Sequence, residues 1–240
     1  LQMAKFITHL RTAKERNQAG NFPKGRGWGN PRHRFLAARN YFYIITISNS
    51  GIRPQAMKLL QFRDWREPLV DPDGTSFTRI HIPADKCKTG NDRTIVTRDF
   101  LDSHKRYLEY KSEWELYFNR SAKPDDYLFV PAMGTSELAS GAKLEPCDMT
   151  YPVRRALKEC GLWETTLDGI AHRRSAYSVR AYFITKSLQR HCPLDILSKH
   201  CATSPEMIQK YYDHSAAVDF RDWITQHHEK YTFTKDIQKI

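Results

Sequence analysis

The chain has 240 residues, 40% of them hydrophobic and 12% aromatic, which supplies a core for one large domain or a small domain with extensions and excludes global disorder. Thirty-eight Lys and Arg stand against 27 Asp and Glu, a formal net charge of +11. A surplus of that size points to a polyanionic partner, because a basic surface gains affinity by releasing counterions from phosphates, although charge alone does not separate DNA from RNA or from an anionic membrane.

The five cysteines, Cys87, Cys147, Cys160, Cys192 and Cys201, include no Cys-x-x-Cys pair. They suggest neither a disulfide framework nor a cysteine zinc site, and a reducing compartment is expected. The longest apolar run, near Tyr41 to Ile47, is too short to span a bilayer. No signal peptide is visible, and with Leu1 as first residue the chain reads as part of a longer protein.

In chain order, Met3, Phe6, Ile7 and Leu10 predict a helix over residues 3–16. The Gly/Pro/Asn-rich stretch from Asn17 to Pro31 predicts a loop. Phe35, Leu36, Tyr41, Phe42, Ile44 and Ile45 leave little polar face on a helix over 33–49, so that helix is expected to be mostly buried. Ser50-Gly51 ends it, and Pro54 starts another running to about Gln61. Phe77, Ile80 and Ile82 predict a strand, Thr94 to Thr97 a second, and Gly90-Asn91 a tight turn between them. Helix returns over 99–118, and Arg120 to Asp148 is expected to loop across the surface. Further helices are expected near 150–160, 174–190, 193–200, 205–213 and 216–228, followed by a polar tail. The fold class is therefore α+β, mainly α-helical, with one small antiparallel β-sheet.

Four segments carry the residues of interest. In Ser50-Gly51-Ile52-Arg53-Pro54 an arginine sits between a helix-ending Gly and a helix-starting Pro. Backbone geometry there can aim a guanidinium, which is always charged and grips phosphate oxygens bidentately; on its own the segment also reads as a solvated Arg at a helix start. Lys88-Thr89-Gly90-Asn91 puts a lysine at a hairpin tip, where it can donate a proton or simply be an exposed turn lysine; Lys86 is its competitor, further from the turn. Ala176-Tyr177-Ser178-Val179-Arg180 places Tyr177 and Arg180 on one helix face. Arg180 lies among apolar neighbours, so it is expected to be either salt-bridged or aimed at an anion. Finally, the stretch Leu197 to His214 contains His200, a capping box read at Thr203 and Glu206, and a helix presenting Tyr211 or Tyr212 near its end. For one tyrosine of that pair an ordinary packing role is expected.

Taken together, in this order and spacing, the Gly-Ile-Arg-Pro box, the Lys-Thr-Gly hairpin, the Tyr-Ser-Val-Arg helix and the ending Thr-Ser-Pro-Glu-Met-Ile-Gln-Lys-Tyr-Tyr-Asp-His resemble the catalytic domain of the tyrosine recombinase (phage integrase) family, over roughly Phe35 to His214. The resemblance implies that residues 1–228 form a catalytic domain and 229–240 a tail, with an N-terminal core-binding domain missing. It implies cleavage and rejoining of double-stranded DNA through a 3′-phosphotyrosyl intermediate. In that chemistry Arg53 and Arg180 clamp the scissile phosphate, Lys88 protonates the leaving 5′ oxygen and Tyr212 is the nucleophile. Tyr212 is preferred to Tyr211 because the family's nucleophile sits two residues before a His, as in Tyr212-Asp213-His214. No metal and no cofactor is implied, the expected active form is a homotetramer on two duplexes, and the expected location is the cytoplasm of a bacterial or phage-infected cell, on DNA.

Three positions depart from the family pattern. Tyr177 stands where many members have His; neutral Tyr has a pKa near 10 and can donate a hydrogen bond but is a poor base at pH 7. Thr203 stands where a His or Trp is common, with His200 three residues earlier as a substitute. Ala56 stands where an acidic residue commonly follows the first Arg, which removes an orienting partner. Two alternatives to a recombinase are a type IB topoisomerase-like enzyme, which shares the chemistry, and a catalytically silent DNA-binding protein on the same fold.

Overall fold

The computed structural model describes residues 2–19, 30–98, 103–133, 143–167 and 169–213. The expected helix over 216–228, the tail, His214 and the start of the helix expected at residue 99 lie outside the described residues. Two compact units are present, residues 1–183 and 184–240.

The first unit is organised on a central helix. Helix α1 spans Gln2–Ala19 and α2 spans Pro31–Ser50. At the start of α2 the Asn30 side chain accepts a 2.9 Å hydrogen bond from the Arg32 amide, and Pro31 occupies the first turn, where its missing N–H costs nothing. At its end Gly51 adopts φ 61°, and its N–H closes on the Ile47 carbonyl at 2.9 Å. Between these caps Phe35, Ala38, Tyr41, Phe42, Tyr43, Ile44, Ile45 and Ile47 are all buried, as a helix apolar on every side must be. The short helix α3, Pro54–Lys58, follows directly.

Strands β1 (Trp65–Val70), β2 (Ser76–Ile82) and β3 (Arg93–Arg98) form an antiparallel sheet in sequence order. Trp65 pairs with Ile80, and Ile80 pairs with Ile95. Thr78, Ile80 and Ile82 alternate inward along β2. The sequence predicts β2 and β3 but not β1. Pro68 breaks the strand pattern of β1, and its register shifts between Arg66 and Leu69, an irregularity that an edge strand tolerates.

Helix α4, Ser103–Phe118, supplies the other wall of the core. Phe42 stacks on Tyr110 at 4.9 Å between ring centroids, Trp65 on Tyr107 at 4.8 Å, and Trp114 packs against Phe118 at 4.5 Å. The stretch after α4 contains no helix within its described part, as expected, but it does not stay on the surface. Leu128, Phe129 and Val130 are fully buried. Their burial is possible because the backbone finds partners. The Leu128 amide donates to the Leu60 carbonyl at 2.8 Å, Phe62 to Asp126 at 3.0 Å, and the buried Arg39 guanidinium to the Val130 carbonyl at 2.8 Å.

Helix α5 spans Thr150–Glu159. It leads to a hairpin that the sequence reading missed, β4 (Glu164–Leu167) with β5 (Ile170–Arg173), which lacks a buried face along β5 and so shows no apolar alternation. Helix α6, Ala176–Gln189, begins in the first unit and ends in the second. The second unit continues with α7 (Leu194–Cys201) and α8 (Pro205–Tyr212), where Ile184, Leu197, Cys201 and Ile208 are buried. Among the described residues no helix is long and apolar enough to cross a membrane. The α+β, mainly helical class with a small antiparallel sheet holds.

Candidate functional site

Arg53 stands where the sequence places it, as the residue between the end of α2 and the start of α3. Its backbone is extended (φ −62°, ψ 133°), the conformation that a following proline enforces. Tyr43, buried on α2, donates its hydroxyl to the Pro54 carbonyl at 3.3 Å and so ties the junction to the core. Burial raises the Tyr43 phenol far above its ordinary value, helped by Asp148, Tyr177 and Cys147. It is thus a permanent donor to the Pro54 carbonyl.

Arg180, on α6, is 2% exposed, and its guanidinium donates to the carbonyl of Gly51. The expectation was a salt bridge or an anion; the structure adds a backbone carbonyl two residues before Arg53. The two arginines that lie 127 positions apart in sequence are therefore brought to one junction. Gly51 is needed there for two reasons. Its φ of 61° suits glycine, and a Cβ would sit 2.3 Å from Phe183 Cδ1. Tyr177 lies one turn before Arg180, exposed, close enough to Tyr43 to act on its phenol.

The β2–β3 connection contains a short 3-10 turn, Ala84–Lys86, then a reverse turn closed by the Gly90 amide on the Cys87 carbonyl at 2.9 Å. Lys88 occupies the first central position of that turn and is exposed, as expected for a hairpin tip. Lys86 has a different environment. Its ammonium is buried, 2.7 Å from Asp64 Oδ2 and 2.9 Å from Gln61 Oε1. Between the two lysines, Cys87 shares a 3.0 Å hydrogen bond with the Thr89 hydroxyl. Burial alone would raise the Cys87 thiol, but hydrogen bonds from Thr89 and the charges of Arg93 and Arg53 outweigh it and hold the thiol below its ordinary value. Arg53 therefore lies within electrostatic reach of the turn that carries Lys88. Arg53, Lys88, Tyr177 and Arg180 all belong to the first unit.

His200, Thr203 and Tyr212 belong to the second. His200 is the penultimate residue of α7 and is half-buried. Thr203 follows Ala202, which ends α7 at φ 49°, and its amide donates to the Ser198 carbonyl at 3.1 Å. The capping box read at Thr203 is corrected by one residue. Ser204 is the N-cap of α8, its hydroxyl accepting from the Met207 amide at 3.3 Å, with Pro205 next. Proline fixes this register, since the first helical position is where its ring fits. At the other end of α8, Tyr211 is 52% exposed with the Lys210 ammonium 5.3 Å from its ring. Tyr212, the last helical residue, is half-buried and its carbonyl accepts from the Thr185 hydroxyl at 3.1 Å.

Three contributors escaped the sequence reading: Tyr43, Phe183 and the buried role of Lys86. Tyr43 and Phe183 look like ordinary apolar helix residues, and Lys86 like a solvated charge. Only the long-range pairing separates them from those readings. A cavity of about 300 Å³ lined by residues of α1, α2 and α5 holds none of the candidate residues.

No protein-family model matches the sequence, and no curated protein matches it. Solved structures do. The XerH site-specific recombinase bound to a palindromic difH substrate in a post-cleavage complex aligns at 17% identity and TM-score 0.60, covering 93% of this chain and 50% of that one. Its pre-cleavage complex with difH aligns at 15% identity and TM-score 0.56, covering 93% and 51%. The Tn1549 transposon integrase with transposon right end DNA aligns at 13% identity and TM-score 0.52, covering 86% and 66%. The chain spans about half the length of the XerH structures it matches. The fold is that of tyrosine recombinase catalytic domains.

Proposed function

We propose that residues 1–228 are the catalytic domain of a site-specific DNA recombinase that cuts and rejoins strands through a 3′-phosphotyrosyl intermediate. The observation that carries the reading is the bond from the Arg180 guanidinium to the Gly51 carbonyl, which seats the second arginine at the junction holding Arg53. The Lys88 turn lies within electrostatic reach of that junction. In this reading two guanidinium groups and the Lys88 ammonium meet a phosphate whose charge grows in the transition state, where a single well-placed donor is worth roughly 10²–10³ in rate.

In this reading Tyr212 Oη attacks phosphorus and the P–O5′ bond breaks. The Lys88 ammonium gives a proton to the departing 5′ oxygen, and the phenolic proton passes to water. One phosphodiester is exchanged for one phosphotyrosyl ester, so the bond energy is kept and a free 5′ hydroxyl reverses the step. Tyr177, and Thr203 or His200, are hydrogen-bond donors to the non-bridging oxygens. Double-stranded DNA is the substrate and a homotetramer on two duplexes is the active assembly. The solved structures with this fold include XerH on difH and Tn1549 integrase on transposon DNA, which supports a DNA substrate. The formal charge of +11 fits a polyanionic substrate.

The test uses full-length protein and a pool of nicked duplexes of randomised sequence, whose short 5′-hydroxyl strand diffuses away after cutting. Covalent adducts are recovered under denaturing conditions and the selected sequence is rebuilt into two sites. Adducts followed by exchange between the sites are expected. Adducts with relaxation of supercoils but no exchange would favour the topoisomerase, and absence of adducts would favour the silent DNA-binding protein.

A further inference from the structure

We infer that the buried pair Lys86–Asp64 is the anchor that positions Lys88, so that the two lysines of the turn divide the work: Lys86 fixes the stem and Lys88 reaches the DNA. The inference rests on the strand-cleaving reading above and adds positioning residues to it.

The geometry is directional. Lys86 Nζ is 2.7 Å from Asp64 Oδ2 and 2.9 Å from Gln61 Oε1, and the two ion-pair side chains are 8% and 2% exposed. The same carboxylate oxygen accepts from the Gln61 amide at 2.8 Å, and the Gln61 side chain donates to the Asp125 carbonyl at 2.7 Å. Lys86 is thus tied into a network that reaches the segment between α4 and α5. On the far side of the turn the Ala84 amide donates to Asp92 at 2.6 Å and closes the loop. Between Lys86 and the reverse turn that starts at Cys87 there is no spare residue. Two trans peptide units separate the Cα atoms of Lys86 and Lys88, which keeps them within about 7 Å of each other. Holding Lys86 therefore restrains the stem from which the turn carrying Lys88 starts.

Stability alone is a poor account of such a pair. Desolvating two charges consumes most of their attraction, and apolar residues of similar volume commonly do as well or better. What they cannot supply is an anchor with a fixed direction. A general acid depends on direction, because a misplacement of about 1 Å can cost on the order of a hundredfold in rate.

The experiment measures cleavage by full-length protein on the selected nicked duplex and on the same duplex with sulfur at the 5′ bridging position, a leaving group that needs no proton. Lys86→Met and Asp64→Asn are each expected to slow the ordinary substrate roughly tenfold to hundredfold. DNA affinity and the rate on the sulfur substrate should stay within about twofold of the unmutated protein. The combined Lys86→Met/Asp64→Leu variant, which fills the niche with apolar groups and whose folding is checked by urea unfolding, should match the single variants rather than multiply them. It also carries the test if either single variant fails to fold. Equal slowing on both substrates would overturn the positioning role. So would normal cleavage by Asp64→Asn beside a sulfur-rescued defect in Lys86→Met, which would make Lys86 itself the acid. Absence of adduct from the unmutated protein on both substrates would overturn the strand-cleaving reading, and the anchor's role with it.

Discussion

Around Gly51 the contacts of the local helix end are joined by side chains from other parts of the helices. Phe183 covers its Cα, Arg180 takes its carbonyl, and Tyr43 holds the Pro54 carbonyl three residues on. Around Lys88 the fixing is local: a reverse turn, a hydroxyl–thiol contact and a loop-closing aspartate, joined to the core through the Lys86 ion pair and the buried Cys87 side chain. The difference suits the parts the two regions are proposed to play. A phosphate clamp works best preorganised, with no reorganisation left for the moment of reaction. A proton donor has to meet an oxygen that moves away as the bond breaks, and an exposed lysine on a short, anchored turn can follow it.

Mutations should separate the two regions by the balance between folding and chemistry. The largest effect on folding is expected at Gly51→Ala. A side chain at φ 61° is strained by about 1–2 kcal/mol, and a Cβ 2.3 Å from Phe183 Cδ1 adds overpacking of about 1–3 kcal/mol. Urea unfolding should show a loss of roughly 2–5 kcal/mol, and Phe183→Leu in the same chain should recover the overpacking part but not the strain. Full recovery would show that the backbone at residue 51 is less constrained than its φ implies.

Arg180→Ala comes next. It removes the donor to the buried Gly51 carbonyl, and a loss of about 1–3 kcal/mol in unfolding free energy is expected together with loss of cleavage. Lys88→Ala should do the reverse. The residue is exposed, so stability should change by less than about 0.5 kcal/mol, while cleavage slows by roughly 10²–10⁴ and recovers on the 5′-bridging sulfur substrate. A clear drop in stability with no change in cleavage would reverse the contrast between the two regions.

The smallest effect is expected in the segment to which the anchor is joined. Arg120 pairs bidentately with Asp126 at 2.6 and 2.9 Å, and its guanidinium lies 4.8 Å from the Trp114 ring. Burial raises the Asp126 carboxyl, but hydrogen bonds from Arg120 and the Lys123 amide outweigh it and hold it below the ordinary carboxylate value. A folded-state value below the unfolded one means that the stabilisation is complete above the ordinary carboxylate range and fades as pH falls through the folded value. Asp126→Asn should therefore lower stability by at most about 1 kcal/mol at pH 7, and by a shrinking amount below about pH 4. A constant difference across that range would assign the effect to packing.

The parts legible in the sequence were those whose signal is local. Gly51 and Pro54 announce the junction because one must end a helix and the other can only start one, and Gly90-Asn91 marks the turn. The α2 core was legible from unbroken apolar periodicity. The edge strand β1 was hidden by Pro68, and β4–β5 by the lack of a buried face along β5. The buried course of residues 128–130 was hidden because it depends on backbone pairing with residues near Leu60. The partner of Arg180 and the pairing of Lys86 with Asp64 connect residues 129 and 22 positions apart, and no local pattern encodes such contacts. The register of α8 was off by one at its cap because Thr203 and Ser204 are both good cap residues, and only the demand of Pro205 for the first helical position decides between them.

The central claim is that this fold breaks DNA with Tyr212. The measurement is adduct formation on the nicked duplex by the Tyr212→Phe and Tyr211→Phe variants of the full-length protein. Each substitution removes one oxygen and keeps the ring, so folding and DNA binding should persist in both. The account predicts no adduct from Tyr212→Phe and an adduct from Tyr211→Phe. An adduct that survives in Tyr212→Phe and disappears in Tyr211→Phe would contradict it, and would move the nucleophile to the exposed neighbour beside Lys210.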